Sequence, residues 1–149
     1  MEQTVSRKSM VLSLWQPWAS AIAAGIKRIE TRSWGTNFRG QLLIHATKKL
    51  VREGQEQIEN VTPEEWAKFS KIGIQTGSDF PLGFVVCAVN LVEVEVSIGQ
   101  GKYPEEENRW GNLQEGRFAW IFDGPPIIPG RVLPIRHGYQ GLWLLERGL

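Results

Sequence analysis

The side chains best suited to chemistry are concentrated in residues 14–34. This segment combines three tryptophans, three cations and one carboxylate: Trp15, Trp18, Trp34, Lys27, Arg28, Arg32 and Glu30. Cations supply contacts to phosphates, and an indole ring stacks on an unpaired base for about 1–3 kcal/mol per base. A carboxylate such as Glu30 accepts a hydrogen bond from a base amino group, and the amide of Gln16 both donates and accepts. This combination is compatible with nucleotide recognition.

The extended part of this segment allows two interpretations. Strand alternation puts four side chains on one face: Arg28, Glu30, Arg32 and Trp34. A strand this polar is either a solvated edge, where ion pairs around Glu30 contribute little, or the wall of a cleft. Lys27 has the opposite parity to Glu30, so the two side chains meet only if Lys27 precedes the regular strand or lies at a bulge.

Other candidate residues carry weaker signals. Trp15 and Trp18 are as compatible with core packing as with ligand contact. His45 lies in an apolar run, where a histidine is more often a satisfied core residue than a catalyst. The acidic run at 105–108 is typical of a solvated loop, which would supply a second carboxylate if it overhung a cleft. The two histidines and one cysteine have no zinc-site spacing, so neither a metal nor a cofactor is predicted.

The composition limits the class of protein. With 149 residues, of which 42% are hydrophobic and 22% charged, the chain fits one folded domain. Its longest apolar run, 83–92, is too short to span a membrane, and no signal peptide is evident. The single cysteine, Cys87, excludes an internal disulfide, so a cytoplasmic location is expected. Residues 1–52 hold nine Lys and Arg against two Glu, which favours an anionic partner unless the cations spread over the surface.

Hydrophobic patterns predict an α+β fold with a strongly curved sheet or barrel. Extended segments are predicted at 10–15, 26–34, 41–47, 84–96, 117–123, 132–135 and 141–145, and helices at 18–24, 48–60 and 63–75. Thr62, Pro63 and Glu65 form the expected start of the third helix. In the second half of strand 84–96, valines alternate with glutamates, so one face is predicted to meet solvent. Residues 99–116 are predicted to be a loop, and 125–130 a turn.

A family resemblance covers nearly the whole chain. GIKRIETR at 25–32 fits the G-x-K-x-x-E-x-R signature of the ASCH domain family. Four further runs are similar to one bacterial branch of that family: SLWQPWAS, RG-x-L-x-I-H-A at 39–46, GRFAW at 116–120 and GYQGLW at 138–143. The resemblance implies an α+β fold, a PUA-like small β-barrel with two or three flanking helices, and a cleft beside the signature strand.

The resemblance also implies an association with RNA and assigns signature positions to Gly25, Lys27, Glu30 and Arg32. One enzymatic branch of the family cleaves an acyl amide from a modified cytidine and pairs the lysine with a threonine three residues later. In this sequence that position is Glu30, with Thr31 adjacent. This departure counts against that particular activity, although a carboxylate beside a lysine is suited to general-base chemistry.

Three hypotheses follow. The first is a module that binds single-stranded RNA, a nucleotide or a modified nucleoside through ten residues: Trp15, Gln16, Trp18, Lys27, Arg28, Glu30, Arg32, Trp34, Arg39 and His45. The second is a hydrolase in the same cleft, an amidohydrolase or a ribonuclease, in which Lys27 stabilises an oxyanion and Glu30 is the general base. The third is a protein-interaction adaptor. One domain is expected over 1–149, with a core at about 10–145 and a flexible extension at 1–9.

Overall fold

A computed structural model describes residues 5–130 and 133–149 and contains seven strands and four α-helices. The strands are β1 (Met10–Leu14), β2 (Ile29–Arg32), β3 (Gly40–Ala46), β4 (Phe84–Val96), β5 (Phe118–Ile127), β6 (Leu133–Pro134) and β7 (Leu142–Leu144). The helices are α1 (Trp18–Ala23), α2 (Arg52–Glu59), α3 (Pro63–Ser70) and α4 (Glu105–Trp110). The α+β prediction is confirmed.

The strands form one mixed sheet that curls into a half-barrel. Their order is β2-β5-β4-β3-β1-β7, and β6 pairs with the start of β4. β1 and β3 run parallel because a crossover containing α1 and β2 separates them in the chain. β2 therefore lies at one end of the sheet and β1 next to the other end, although the two strands are successive in sequence.

Alternation along β1 divides the core into two parts. Leu12 and Leu14 pack with α1 and the inner faces of β3, β4 and β5. Val11 packs on the other side, with Leu43 and Trp143. Ser13 shares this second side because strand side chains alternate with period two. The polar residues at the end of β1 and β3 are thus placed beside the C-terminal segment.

The second half of β4 differs from its predicted burial. The strand has the predicted bounds, 84–96, but Val92 and Val96 are both exposed. β3 pairs with β4 only as far as Leu91, and a register shift follows between Leu91 and Glu93. Beyond that point, among the described residues, β4 has only β5 as a neighbour, so its valine face is only partly covered: Val94 packs against the core, while Val92 and Val96 are exposed. The glutamate face meets solvent as predicted, but the valine face is less buried than the pattern suggested.

The sequence predicted the start of α3 correctly, but not the end of α3 or the start of α2. The capping box is confirmed, since the side chains and backbones of Thr62 and Glu65 exchange hydrogen bonds. The helix ends earlier than predicted because Gly73 adopts φ +84° in a Schellman arrangement, with Ile74 N donating to Phe69 O. Similarly, α2 begins at Arg52 rather than at 48.

Two predictions for the second half of the chain are wrong. The loop predicted at 99–116 contains α4, which raises the number of flanking helices to four. The turn predicted at 125–130 begins inside β5, which continues to Ile127 through two prolines. β2 begins opposite Ile121, so the two prolines of β5 lie past the segment that pairs with β2. The missing N–H groups of the prolines therefore interrupt no hydrogen bond between β5 and β2.

Two residues of the predicted extension contact the C-terminal segment. Arg7 and Ser9 accept backbone hydrogen bonds from Glu146 and Leu145. Residues 1–4 of the predicted extension, residue 131, and residue 132 at the start of one predicted strand lie outside the described residues. Within the described part of the chain, no helix has the length and apolar character needed to cross a membrane.

Candidate functional site

A large cleft, about 1120 Å³ in volume, lies at the end of the half-barrel where β1 and β3 finish. Its walls come from these strands, β2, the end of α4 with the residues after it, and segment 136–141. The aromatic lining residues are Trp15, Trp18, Trp34, Trp110 and Tyr139. The charged lining residues are Arg32, Lys48, Arg109, Arg117, Arg136, Glu30 and Glu53, with His45 and His137 beside them. Five cations against two carboxylates make this an environment for anions.

Lys27 lies beneath the cleft rather than in its wall. It precedes β2, as its parity required, and it is only 1% exposed. Its Nζ donates to the carbonyls of Ile29 (2.7 Å) and Trp110 (3.0 Å) and lies 3.3 Å from Oε1 of Glu30. The two carbonyls take two of the three ammonium protons, and the Glu30 carboxylate lies within ion-pair distance. Lys27 therefore joins β2 to the end of α4 and positions Glu30.

Glu30 presents its carboxylate to the cleft at 7% exposure. Oε1 accepts a hydrogen bond from the backbone N–H of Thr31 (3.0 Å) in addition to its contact with Lys27. Oε2 lies 3.4 Å from Nε of Arg32, which is within ion-pair distance but lacks hydrogen-bond geometry. The carboxylate is thus held between two cations, where it serves as a hydrogen-bond acceptor.

Arg32 connects the two ends of the curled sheet. It belongs to β2, and its Nη2 donates to the backbone carbonyl of Ser13 in β1 at 3.1 Å. β7 pairs with β1 only along Met10–Leu12, so this carbonyl lies beyond the last paired residue. In the described sheet, β2 and β1 share no backbone hydrogen bonds. The Arg32 side chain therefore connects these two strands.

Ser13 also anchors a polar group in the floor of the cleft. Its Oγ lies 2.7 Å from Nδ1 of His45 and accepts a hydrogen bond from Nε1 of Trp143 at 3.1 Å. Burial, and then the positive charge of Lys48, lower the pKa of His45 to about 4. The imidazole is therefore neutral at pH 7.

The α4 wall of the cleft is attached to α3 through a buried carboxylate. Glu65 Oε2 accepts from Nη1 of Arg109 (2.5 Å) and Nε1 of Trp110 (2.7 Å), while Oε1 accepts from the N–H of Thr62. Burial alone would raise the pKa of Glu65, but these hydrogen bonds and the charge of Arg109 hold it at about 2. Two lining residues of the cleft thus share one anionic anchor.

Glu107 has a structural position behind the cleft. Its carboxylate accepts from the backbone N–H groups of Arg28 (3.0 Å) and Ile29 (3.2 Å) at the entry to β2. Burial raises the pKa of Glu107, although these donors and the charge of Lys27 oppose the shift. The expectation that 105–108 would supply a second cleft carboxylate is wrong, because none of these residues lines the cleft.

Buried nitrogens without a hydrogen-bond partner are concentrated in the cleft lining. Among residues 5–130 and 133–149, four buried side-chain nitrogen or oxygen atoms lack a hydrogen-bond partner. Three of them are nitrogens of residues that line this cleft: Arg32 Nε, His45 Nε2 and Arg117 Nε. The two arginine nitrogens are donors, and Nε2 of His45 donates or accepts according to its tautomer. A buried polar group without a partner costs about 1–3 kcal/mol, so these atoms favour a polar ligand over an apolar one.

The structure brings together six of the ten predicted binding residues. Trp15, Trp18, Glu30, Arg32, Trp34 and His45 all line the cleft. Gln16, Lys27, Arg28 and Arg39 do not line it. Gln16 is fully buried and uses both ends of its amide, on Ser20 and on the carbonyl of Pro81. Arg28 lies at a separate, smaller pocket, and Arg39 pairs with Glu93 on the surface.

Sequence reasoning missed the far wall of the cleft. Arg109 and Trp110 come from a helix that was expected to be a loop, and Arg117, Arg136 and Tyr139 lie far from the signature segment in sequence. The runs GRFAW and GYQGLW begin next to or within these stretches, and they were the available signals. Within the described residues, no group of three or more His, Cys, Asp or Glu side chains is placed to hold a metal ion.

Comparisons with known proteins agree with this geometry. The model of the ASCH domain family matches residues 12–122. Activating signal cointegrator 1 from Mus musculus is 30% identical over 135 residues, which are 91% of this chain and 22% of the relative. The Homo sapiens protein of the same name is 29% identical over 135 residues, with the same coverage. The chain thus spans about a fifth of the length of these curated relatives.

Solved structures with the same fold are also found. The crystal structure of ASCH from Zymomonas mobilis superimposes with a TM-score of 0.51 at 19% identity, over 94% of this chain and 89% of that chain. A mutant of the Zymomonas mobilis protein gives the same TM-score and identity, over 95% and 91%. At this identity the similarity concerns the fold alone, and it confirms the predicted α+β, PUA-like architecture.

Proposed function

The chain belongs to the ASCH domain family, and from this premise we propose that its large cleft binds single-stranded RNA or a nucleotide. The family has a PUA-like fold and is generally linked to RNA binding. The observation that carries the proposal is the set of three buried nitrogens without a hydrogen-bond partner, Arg32 Nε, His45 Nε2 and Arg117 Nε. Nucleic acids are rich in acceptors for nitrogens that donate, on phosphates, sugars and base edges.

The charge of the cleft supports phosphate contacts at its outer part. Arg136 is exposed at the rim, and Lys48 is exposed beside it, with its Nζ donating to the Arg136 carbonyl at 2.6 Å. Arg109 is less available because Glu65 already binds it. An exposed cation can bind a phosphate without first breaking hydrogen bonds or ion pairs within the protein. Of Arg136, Lys48 and Arg109, Arg136 is therefore the best placed to bind a phosphate.

An aromatic surface for a base is present at the rim. Trp15 is 49% exposed, whereas Trp110 is fully buried and Trp34 packs edge-on against Trp120 at 5.0 Å. A half-exposed indole beside cations is the usual arrangement for stacking an unpaired base. Trp15 is therefore the proposed stacking residue, with Trp18 next to it in the lining.

A salt titration with a matched control tests this proposal. A short, fluorescently labelled single-stranded RNA is titrated with the parent protein, with Arg136→Ala and with Arg52→Ala, which is an exposed arginine outside the cleft that pairs with Glu56. If Arg136 contacts one phosphate, its loss lowers the slope of log K against log salt by about 0.7. Arg52→Ala should leave the slope unchanged. Absence of RNA and nucleotide binding by the parent at low salt would refute the proposal.

A hydrolase in the same cleft is the second candidate, and the position of Glu30 favours it. Its carboxylate is nearly dry, faces the cleft and is fixed by Lys27 and Thr31. Because Lys27 is buried outside the cleft lining and donates to two carbonyls, it would act here by positioning Glu30 rather than by contacting substrate. Product analysis with RNA and acylated nucleosides tests this candidate: turnover should disappear in Glu30→Gln while ligand binding persists.

A further inference from the structure

A chain of hydrogen bonds connects Trp143, Ser13 and His45, and its direction decides which nitrogen of His45 carries the proton. The indole N–H of Trp143 can only donate, and it donates to Oγ of Ser13. The hydroxyl hydrogen of Ser13 is then available for the next acceptor, and Nδ1 of His45 lies 2.7 Å away. If Nδ1 accepts this bond, the proton of the neutral imidazole is on Nε2.

Within the group formed by Trp143, Ser13 and His45, the geometry leaves Nε2 of His45 without a hydrogen-bond partner. His45 lines the cleft with 2% of its surface exposed, and its Nε2 has no hydrogen-bond partner among the described residues. The backbone at Gly138 lies over the Cε1–Nδ1 edge of the ring. A Cβ at Gly138 would lie 3.0 Å from Cε1 and 3.3 Å from Nδ1 of His45, and 3.2 Å from Oγ of Ser13. Segment 136–141 thus closes over the Nδ1 edge of the ring.

We propose that His45, oriented by Ser13 and Trp143, is a specificity-determining donor in the floor of the cleft. Its Nε2–H binds a neutral acceptor on a nucleobase, either a carbonyl oxygen or an unprotonated ring nitrogen. This inference rests on the proposed binding of RNA or a nucleotide. An uncharged imidazole gives no electrostatic advantage to a phosphate, which the exposed cations at the rim bind better. A base with an amino group at this point would set two donors against each other and bind on the order of tenfold more weakly.

The protonation pattern is testable without any ligand. Nitrogen-15 NMR distinguishes a protonated imidazole nitrogen from a bare one, and the ligand-free protein should show His45 with bare Nδ1 and protonated Nε2 near pH 7. Ser13→Thr retains the hydroxyl and should retain this tautomer, whereas Ser13→Ala should give a mixture of both tautomers. A proton on Nδ1 in the parent protein would overturn the proposal at its first step.

Binding of single-stranded homopolymer RNAs tests the recognition step. The parent protein should prefer some bases over others, and His45→Phe should reduce that preference by about tenfold without changing the salt slope. Ser13→Ala should reduce it in the same direction and Ser13→Thr should not, so this pair decides the question even if His45→Phe fails to fold. An unchanged base preference, or a loss of salt dependence, would overturn the role of His45. RNA binding by the parent that survives these changes would leave the proposed function in place.

Discussion

Glu65→Gln tests whether the Glu65 carboxylate attaches α4 to α3. The carboxylate accepts two donors on Oε2, from Arg109 and Trp110, and one on Oε1, from Thr62. A glutamine has the same shape, but its NH₂ group must face one of these donor sets. In either orientation a donor opposes a donor, and the charge that strengthens the remaining bonds is lost.

The size of the effect follows from these contacts. Removing one partner of a fully buried ion pair costs about 3–5 kcal/mol, but Arg109 is one-third exposed and can be rehydrated. We therefore expect Glu65→Gln to lower the free energy of unfolding by about 2–3 kcal/mol, the range for losing one bond and weakening two others. For a domain of this length, that change corresponds to a fall in Tm of about 4–12 °C.

The pH dependence of this difference has a definite sign. The pKa of Glu65 is about 2 in the folded protein, below its value in the unfolded chain. A depressed folded pKa gives stability that is complete above the unfolded pKa, about 4.3, and is lost as the pH falls towards 2. The gap in stability between the parent and Glu65→Gln should therefore be constant from pH 7 to about 5 and should shrink below that.

Urea unfolding followed by tryptophan fluorescence measures both effects. Glu64→Gln is the matched control, because Glu64 is an exposed carboxylate in the same helical turn. Its effect should stay within about 0.5 kcal/mol. If Glu65→Gln were as mild as Glu64→Gln, or if its deficit did not shrink at acid pH, Glu65 would not be the anionic anchor described above.

Three other substitutions test separate parts of the structure. Trp15→Ala should weaken RNA binding about 5- to 150-fold through lost stacking while the unfolding midpoint is nearly unchanged; equal affinity would exclude Trp15 as the base platform. Lys27→Met should lower the free energy of unfolding by about 3–5 kcal/mol in chemical denaturation, because Glu30 loses a buried partner cation and two carbonyls lose their donor. A neutral effect would contradict the anchoring role of Lys27. Gly54→Ala should destabilise the protein by about 1–3 kcal/mol, because the new Cβ would overlap a backbone carbonyl, and this cost exceeds the helix preference of alanine. The control Gly101→Ala, where the Cβ would enter open space, should not destabilise the protein.

The sequence predicted best what depends on local order. The Thr62 capping box needs only residues three apart, and the bounds of β4 follow from an apolar first half and an alternating second half. The requirement that Lys27 precede the regular strand followed from parity alone, and the structure confirms it. The hydrophobic pattern predicted an α+β fold with a curved sheet or barrel, and the family resemblance added that this sheet is PUA-like.

What the sequence did not reveal depends on distant contacts. Gln16 sits among cleft residues in sequence, but the carbonyl of Pro81 and the helix start at Ser20 bind its amide and bury it. The acidic start of α4 has the composition of a solvated loop, and its helical state depends on contacts such as the one between Arg109 and Glu65. Exposure of Val92 follows from where β3 begins, at Gly40 opposite Leu91, and the alternating pattern of β4 does not encode that position.

The position of β2 at one end of the sheet has a consequence for folding. β2 is four residues long and, among the described residues, pairs only with β5, which lies more than eighty residues later in the chain, at Phe118–Ile127. Because this pairing closes a long loop, we expect it to be entropically costly and slow to form. Local opening of this end strand would move Glu30 and Arg32 out of the cleft while β3, β4 and β5 stay paired. Hydrogen exchange should accordingly be faster in β2 than in β4, and the Glu30 and Arg32 side of the cleft should be lost before the side formed by β1 and β3.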